Sequence, residues 1–366
     1  MTKKLVITGV SAMQAWDEGA RPYARPSRVR SPNSFAAASS ELAEFSALPQ
    51  GCVNPVEILV GSDSSYHRTH RWRAHVQRSP LPPNSILDIG LNRCMTSPEF
   101  FFLRTAPKLS LVQAVLLGME LCGWYSTLMS APYRQHCDKV RTEQGGALLM
   151  NPWPPTAWDL SLEHQRDLMK NGFVVRPPLT DAASLREYLH RALSEKSNSR
   201  ALVAARYVAD NSRSPMESRI YARYCLPRRY GGFNLVPVEL NREFELSPEV
   251  AQAIGIEKYS VDLYWPRGKL AIEYQGRYAH SGLNAEQRDR LKRNILETEG
   301  VRIISIDSSQ YAKGDILDIY AGEIASSMGI EAWRMKPSAA EQRKRLELIN
   351  ELESWDVDLY RPTGKR

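Results

Sequence analysis

The sequence predicts an α/β protein of the α+β kind: a mixed α/β N-terminal domain, then a mixed sheet flanked by helices. Three observations carry this. The chain has 366 residues, and a single domain typically takes roughly 100–200. Apolar runs of strand length alternate with longer segments of helical period. Residues 259–307 parse as three strands and a helix. A hydrophobic fraction of 43% with 24% charged residues excludes a disordered or fibrous chain. It also allows a core without disulfides or a structural metal.

At the N-terminus, KLVITGV reads as a short strand running into a helix that starts near Ser11. Its apolar run is too brief for a secretory leader. Residues 21–33 hold Arg21, Arg25, Arg28 and Arg30 with three prolines, which prevents regular structure. They read as an exposed basic loop, with a phosphate-touching strap as the alternative. VEILVG is a strand. His67, His70 and His75 follow at spacings of three and five. No carboxylate or cysteine stands close by in sequence to complete a metal set, so a surface strand or loop is the simpler reading. SPEFFFLRTAPKLSLVQAVLLGMELCG gives two helices, the first capped by Ser97 with Pro98 at N1 and Glu99 in its first turn. The stretch from Leu109 to Met129 has the length of a membrane span. Gln113, Glu120, Gly118 and Gly123 interrupt it, so it reads as a buried core helix.

Residues 131–180 are rich in loop signals. A helix resumes in LTDAASLREYLHRAL with Thr180 as its cap, and another follows in RALVAARYVAD. The domain boundary is therefore set near 180. This gives an N-terminal recognition or regulatory domain at 1–180, a second domain at 181–335, and a C-terminal helix and tail at 336–366. The last helix carries Leu346, Ile349 and Leu352 on one face, a face for packing on its own domain or for a homodimer.

The net charge is +7, compatible with an acidic partner. Residues 196–232 alone carry a net +6. The five cysteines are odd in number and scattered without a CxxC pair. Disulfide frameworks and zinc ribbons are thereby disfavoured, and a reducing, cytoplasmic compartment is expected.

Chemistry concentrates in YSVDLYWPRGKLAIEYQGRYAHSGLNAEQRDRLKRNILETEGVRIISID. YSVDLYW is a strand, Pro266-Arg267-Gly268 a turn and KLAIEYQG its antiparallel return. Asn284 to Glu299 is a helix ending at Gly300, and VRIISID is a buried strand. Glu273 and Gln275 share one strand face, and Asp262 can approach Glu273 across the hairpin. Acids are depleted at mid-strand and repel one another unless a cation or proton intervenes. Mg²⁺ is suited by one or two carboxylates with water and phosphate oxygens.

Asp262, then Glu273-x-Gln275, His280 and a helix bearing Arg288, Asp289 and Lys292 together resemble the PD-(D/E)xK nuclease superfamily. Within it the segment is similar to very-short-patch-repair-like endonuclease domains, over roughly residues 205–310. The resemblance implies a restriction-endonuclease-like fold and Mg²⁺- or Mn²⁺-dependent hydrolysis of DNA, in DNA repair or phage defence. It implies Asp262 and Glu273 as metal ligands and His280 as an acid or phosphate contact. It places Arg277, Arg288 and Lys292 on the phosphate or DNA backbone. Gln275 stands where the superfamily has Lys and nearer relatives have Asp, so it can position water but cannot serve as a base. Glu217 matches an acidic residue on the fold's first helix. It also reads as N3 of a capping box with Ser214 and Pro215. Arg213, Arg219 and Arg223 belong to the +6 segment, which would track DNA. The N-terminal domain would hold specificity or a protein partner. The rival reading is a non-catalytic DNA-binding regulator, akin to abortive-infection antitoxin-type proteins. A third is a metal-free scaffold.

Overall fold

The computed structural model describes residues 3–17, 25–27, 35–36, 41–42, 45, 52, 54–63, 68–127, 173–193, 199–254, 257–275, 293–331 and 335–358. The fold is mixed α+β. It divides into two units: Met1–Leu121 with Ser126–Arg206 and Asp356–Arg366, and Cys122–Tyr125 with Tyr207–Trp355.

The first unit is built on a six-stranded mixed sheet. Its strands are β1 (Leu5–Ile7), β2 (Arg25–Pro26), β3 (Val56–Val60), β4 (Trp72–Val76), β5 (Ile86–Gly90) and β6 (Arg93–Thr96). Their order is β2-β5-β6-β1-β3-β4. β1 runs parallel to β6 and antiparallel to β3, and β3 is parallel to β4. The central strands are apolar because both faces are covered: Leu5, Val6, Ile7, Val56, Ile58 and Val60 are all at 0% exposure. Helix α1 (Gly9–Asp17) follows β1 directly, two residues earlier than Ser11. Glu57 of β3 explains the earlier start. Its carboxylate accepts the Val10 N–H at 2.9 Å and so caps the helix from another strand. The close approach needs glycine at position 9, where φ is +58° and a Cβ would lie 1.7 Å from Glu57 Oε2.

Helices α2 (Pro98–Thr105) and α3 (Leu111–Leu121) form as their sequence signals direct. Ser97 Oγ accepts the Phe100 N–H at the start of α2. α3 is buried nearly all round, Glu120 included, and among the described residues no helix is long and apolar enough to cross a membrane. Helix α4 (Ala182–Ala192) is capped by Asp181, not Thr180: Asp181 accepts the Ser184 N–H, while the Thr180 hydroxyl donates to Glu99. Helix α5 (Arg200–Ala205) packs on α3 and against α4, α4 packs on α2, and Arg186 donates to Ala205 O. These contacts move residues 181–206 into the first unit, so the division falls at Arg206/Tyr207 instead of near 180.

The second unit runs α6 (Pro215–Cys225), β7 (Glu239–Glu245), α7 (Pro248–Ile254), β8 (Lys258–Trp265), β9 (Leu270–Gln275), a helix α8 described over residues 293–298, and β10 (Arg302–Asp307). Helices α9 (Ser308–Tyr311), α10 (Gly314–Ser327) and α11 (Ala339–Asp358) follow. The sheet order is β10-β9-β8-β7. β7, β8 and β9 are antiparallel neighbours, and β10 is parallel to β9. The hairpin and last strand stand where the sequence sets them, whereas β7 is an added edge strand that the sequence reading did not separate. The hairpin turn is Pro266–Gly268 with Lys269 taking the left-handed conformation at φ 45°. Gly300, at φ +74°, ends α8. Trp265, fully buried, donates its indole N–H to Leu235 O at 2.8 Å and stacks edge-on to Tyr224 of α6. Leu296 of α8 is buried with Val261, Ala271 and Val301.

The C-terminal helix groups with this unit as far as Trp355. Among its described side chains the buried ones are Leu348 and Leu352, each 1% exposed, while Leu346 is 62% exposed. The face read from the sequence is therefore shifted: Leu348, four residues before Leu352, takes the inward place. Close packing sets the phase. Gly231, at φ +90°, lies so near the helix that a Cβ there would be 2.3 Å from Lys344 O and 2.8 Å from Leu348 Cβ.

A polar row across the second sheet

The strand register brings the central candidate residues together. β8 pairs with β9 at Trp265↔Leu270, Tyr264↔Ala271 and Leu263↔Ile272. Continued one step, this sets Asp262 level with Glu273 on the neighbouring strand. Backbone pairing stops at Leu263↔Ile272. Asp262 Oδ2 then accepts the Tyr274 N–H at 2.7 Å, so a carboxylate stands in the ladder where a backbone carbonyl otherwise would. On the other side of Glu273 its Cα partner is Ser305 of β10. On the other side of Asp262 lies Asn241 of β7: the ladder pairs Val261 with Arg242 and Leu263 with Leu240, and Asn241 between them is left-handed at φ 50°. By register, Asn241, Asp262, Glu273 and Ser305 thus occupy neighbouring positions on the four strands.

Both ends of the row are held. Asn241 Nδ2 donates to Glu217 Oε2 at 2.6 Å and to Asn211 O at 2.8 Å. Ser305 Oγ receives a hydrogen bond from Arg293 at 2.7 Å. Arg293 lies on α8, three residues before Leu296, so the residue that seats the helix on the sheet also sets its arginine.

Glu217 is buried, and burial pushes its carboxyl up despite hydrogen bonds from the Arg213 N–H, Asn241 and Ser214 and the nearby Arg213 charge. The capping box is altered. Ser214 Oγ accepts the Glu217 N–H, but Glu217 reaches past the cap to the Arg213 N–H at 2.7 Å. Its side chain therefore ties the start of α6 to β7 through Asn241. Among the described residues no group of three or more His, Cys, Asp and Glu side chains is arranged to hold a metal ion. Glu217 is thus not joined to Asp262 and Glu273 in such a group. A divalent cation would rest on the Asp262–Glu273 pair, whose hard oxygens suit Mg²⁺ or Mn²⁺ with water and phosphate completing the shell.

Gln275 closes β9, where its Cα partner is Asp307. Asp307 caps α9, and hydrogen bonds from Ser309 and the Gln310 N–H hold its carboxyl below the usual range. The +6 segment is not a uniform basic surface. Arg223 is buried, donating to Gly314 O at 2.8 Å and to Asp318 at 3.2 Å, so it ties α6 to α10 and is not placed to meet DNA. Arg213 stands 3.4 Å from Glu243 and 3.3 Å from Ser260 Oγ. Arg219 donates to Met216 Sδ. Arg228 and Arg229 contact Glu341 and the Tyr207 hydroxyl. Arg277, His280, Arg288 and Lys292 lie outside the described residues, as does His67.

The sequence reading missed Asn241, Ser305 and Arg293. Ser305 had a signal, a single small polar residue inside the apolar run RIISI. Asn241, left-handed at φ 50°, had none. No family model matches the chain, and no curated protein or solved structure matches it.

Proposed function

We propose that the second unit is a metal-dependent endonuclease that hydrolyses DNA phosphodiester bonds. The observation that supports this reading is the register that sets Asp262 and Glu273 at neighbouring positions on adjacent strands, at the point where their backbone pairing ends. A divalent cation bound there would supply a more acidic water and a Lewis-acid contact to the phosphate. Asp262 and Glu273 hold the negative charge that recruits it. Gln275, two residues beyond Glu273, offers an amide N–H to the phosphate or the attacking water and an amide oxygen to orient that water. The first unit and the remaining basic residues would hold what selects the DNA, in repair or in defence against phage, within the cytoplasm.

Purified protein incubated with supercoiled plasmid and Mg²⁺, Mn²⁺ or EDTA tests the reading. Metal-dependent nicking is expected, with loss of at least ~100-fold in Glu273→Ala and in Asp262→Ala. Equal nicking by either variant and the natural protein would overturn the site.

A second reading, a DNA-binding protein that does not cut, is favoured by Gln275 itself, since a neutral amide is neither a base nor an anionic ligand. It predicts salt-dependent DNA affinity that is indifferent to metal.

A further inference from the structure

We propose that Arg293 is the guanidinium that neutralises the phosphate being cut, and that Ser305 holds it in place. This rests on the nuclease reading and adds a residue to it. Two independent placements converge. Ser305 is the strand neighbour of Glu273, so its hydroxyl stands beside that carboxylate on the same face. Arg293 reaches that hydroxyl from α8 at 2.7 Å while remaining solvent-exposed. Among the described residues it makes no ion pair, in contrast to Arg223 with Asp318 and Arg213 with Glu243. A serine hydroxyl fixes one N–H of the guanidinium and leaves the others to donate.

The chemistry requires such a group. The water oxygen forms a bond to phosphorus and the bond from phosphorus to the departing sugar oxygen breaks. One proton leaves the water for solvent, and the departing oxygen takes one from solvent. Negative charge grows on the two non-bridging oxygens throughout. A planar fork meets two phosphoryl oxygens in a fixed bidentate geometry that an ammonium lacks. Arg293 keeps its protons and contributes charge and geometry, whereas Ser305 is a positioning residue.

Two readouts test this: plasmid nicking with Mg²⁺, and anisotropy of a labelled duplex oligonucleotide in EDTA across 50–200 mM salt. Arg293→Gln should reduce the slope of log affinity against log salt by about 0.9, the value for one lost phosphate contact. It should also cut the nicking rate by ~100-fold or more. Arg293→Lys should keep the slope and lose part of the rate. Ser305→Ala should keep the slope and lower the rate, and Ser305→Thr should restore it. An Arg293→Gln protein with natural slope and rate, beside an inactive Glu273→Ala protein, would overturn this inference and leave the nuclease reading standing. A natural protein that neither binds nor nicks DNA would overturn both. Because Arg293 is exposed, folding of its variants is checked by their melting curves.

Discussion

The two sheets treat an acidic residue inside a strand in opposite ways. In the first, Glu57 is surrounded by groups that match it. It caps α1 through the Val10 N–H, and on the next strand Arg73 lies 3.4 Å away and His75 Nε2 3.6 Å away. These hold its carboxyl below the usual range although burial acts the other way. In the second, the neighbours that the register gives Glu273 are another carboxylate, Asp262, and a serine. The first arrangement is complete within the chain and serves the fold. The second sets two carboxylates at neighbouring register positions, where a cation or a proton between them lowers their repulsion.

The first unit carries a second buried cluster that sharpens the contrast. Asp17 and Arg176 lie 2.7 Å apart. Arg176 also donates to the Glu120 main-chain oxygen, and Thr127 donates to the Glu120 carboxylate through both its N–H and its hydroxyl. The Ser126 hydroxyl bonds to Asp17 at 2.8 Å. Burial pushes the Glu120 carboxyl up to about 7 and raises Asp17 even beside its arginine. An acid whose folded value lies above its unfolded one binds more protons when folded, so stability falls as pH rises between the two. Chemical denaturation should show the first unit losing on the order of 3 kcal/mol from Glu120 as pH rises from 4.5 to 7. Glu120→Gln should flatten that decline, and an unchanged pH profile in the variant would break the assignment.

Glu57→Ala should come next in size. It removes the cap of α1 and leaves Arg73 and His75 without their acid, a loss of about 2 kcal/mol in denaturant melts. Nicking by the surviving folded protein should be unchanged. A Glu57 variant as stable as the natural protein, or one that folds and fails to cut, would erase the distinction between the two sheets. The smallest effect is expected at Glu217. Its oxygen receives Arg213 and Asn241, a role that an amide oxygen also fills. Glu217→Gln should therefore cost less than about 1 kcal/mol, against about 1–3 kcal/mol for Glu217→Ala. It should also keep its nicking activity. A stable Glu217→Gln protein that has lost cleavage would move Glu217 into the chemistry.

The legible parts of this fold are those fixed by local rules. The hairpin was readable because Pro266 and Gly268 interrupt two alternating runs, and α2 because Ser97-Pro98 can open a helix by its own side chain. Choices between equivalent local signals were not. Thr180 and Asp181 can both cap α4, and a hydrogen bond to the distant Glu99 removes Thr180 from the contest. Leu346 and Leu348 can both start an apolar face, and the missing side chain at Gly231 decides. Among the candidate residues, the register of Asp262 and Glu273 was legible because a short turn nearly determines which strand positions lie level with each other. Asn241 and Arg293 were not, since each is brought to the row by an element that is remote in sequence. Arg223 misled for the same reason: its charge is visible in the sequence, while the Gly314 carbonyl and Asp318 that consume it are not.

The proposed activity requires Asp262 and Glu273 to bind a divalent cation together. Thermal melting of the natural protein with and without Mg²⁺, beside Asp262→Ala and Glu273→Ala, measures that directly, whatever the DNA substrate proves to be. A cation that binds only the folded state stabilises it by about 2.7 kcal/mol at a hundredfold excess over its dissociation constant. The natural protein should melt several degrees higher with Mg²⁺, and both variants should lose that shift while folding normally without metal. An identical Mg²⁺ response in all three proteins, or none in the natural one, would contradict the account.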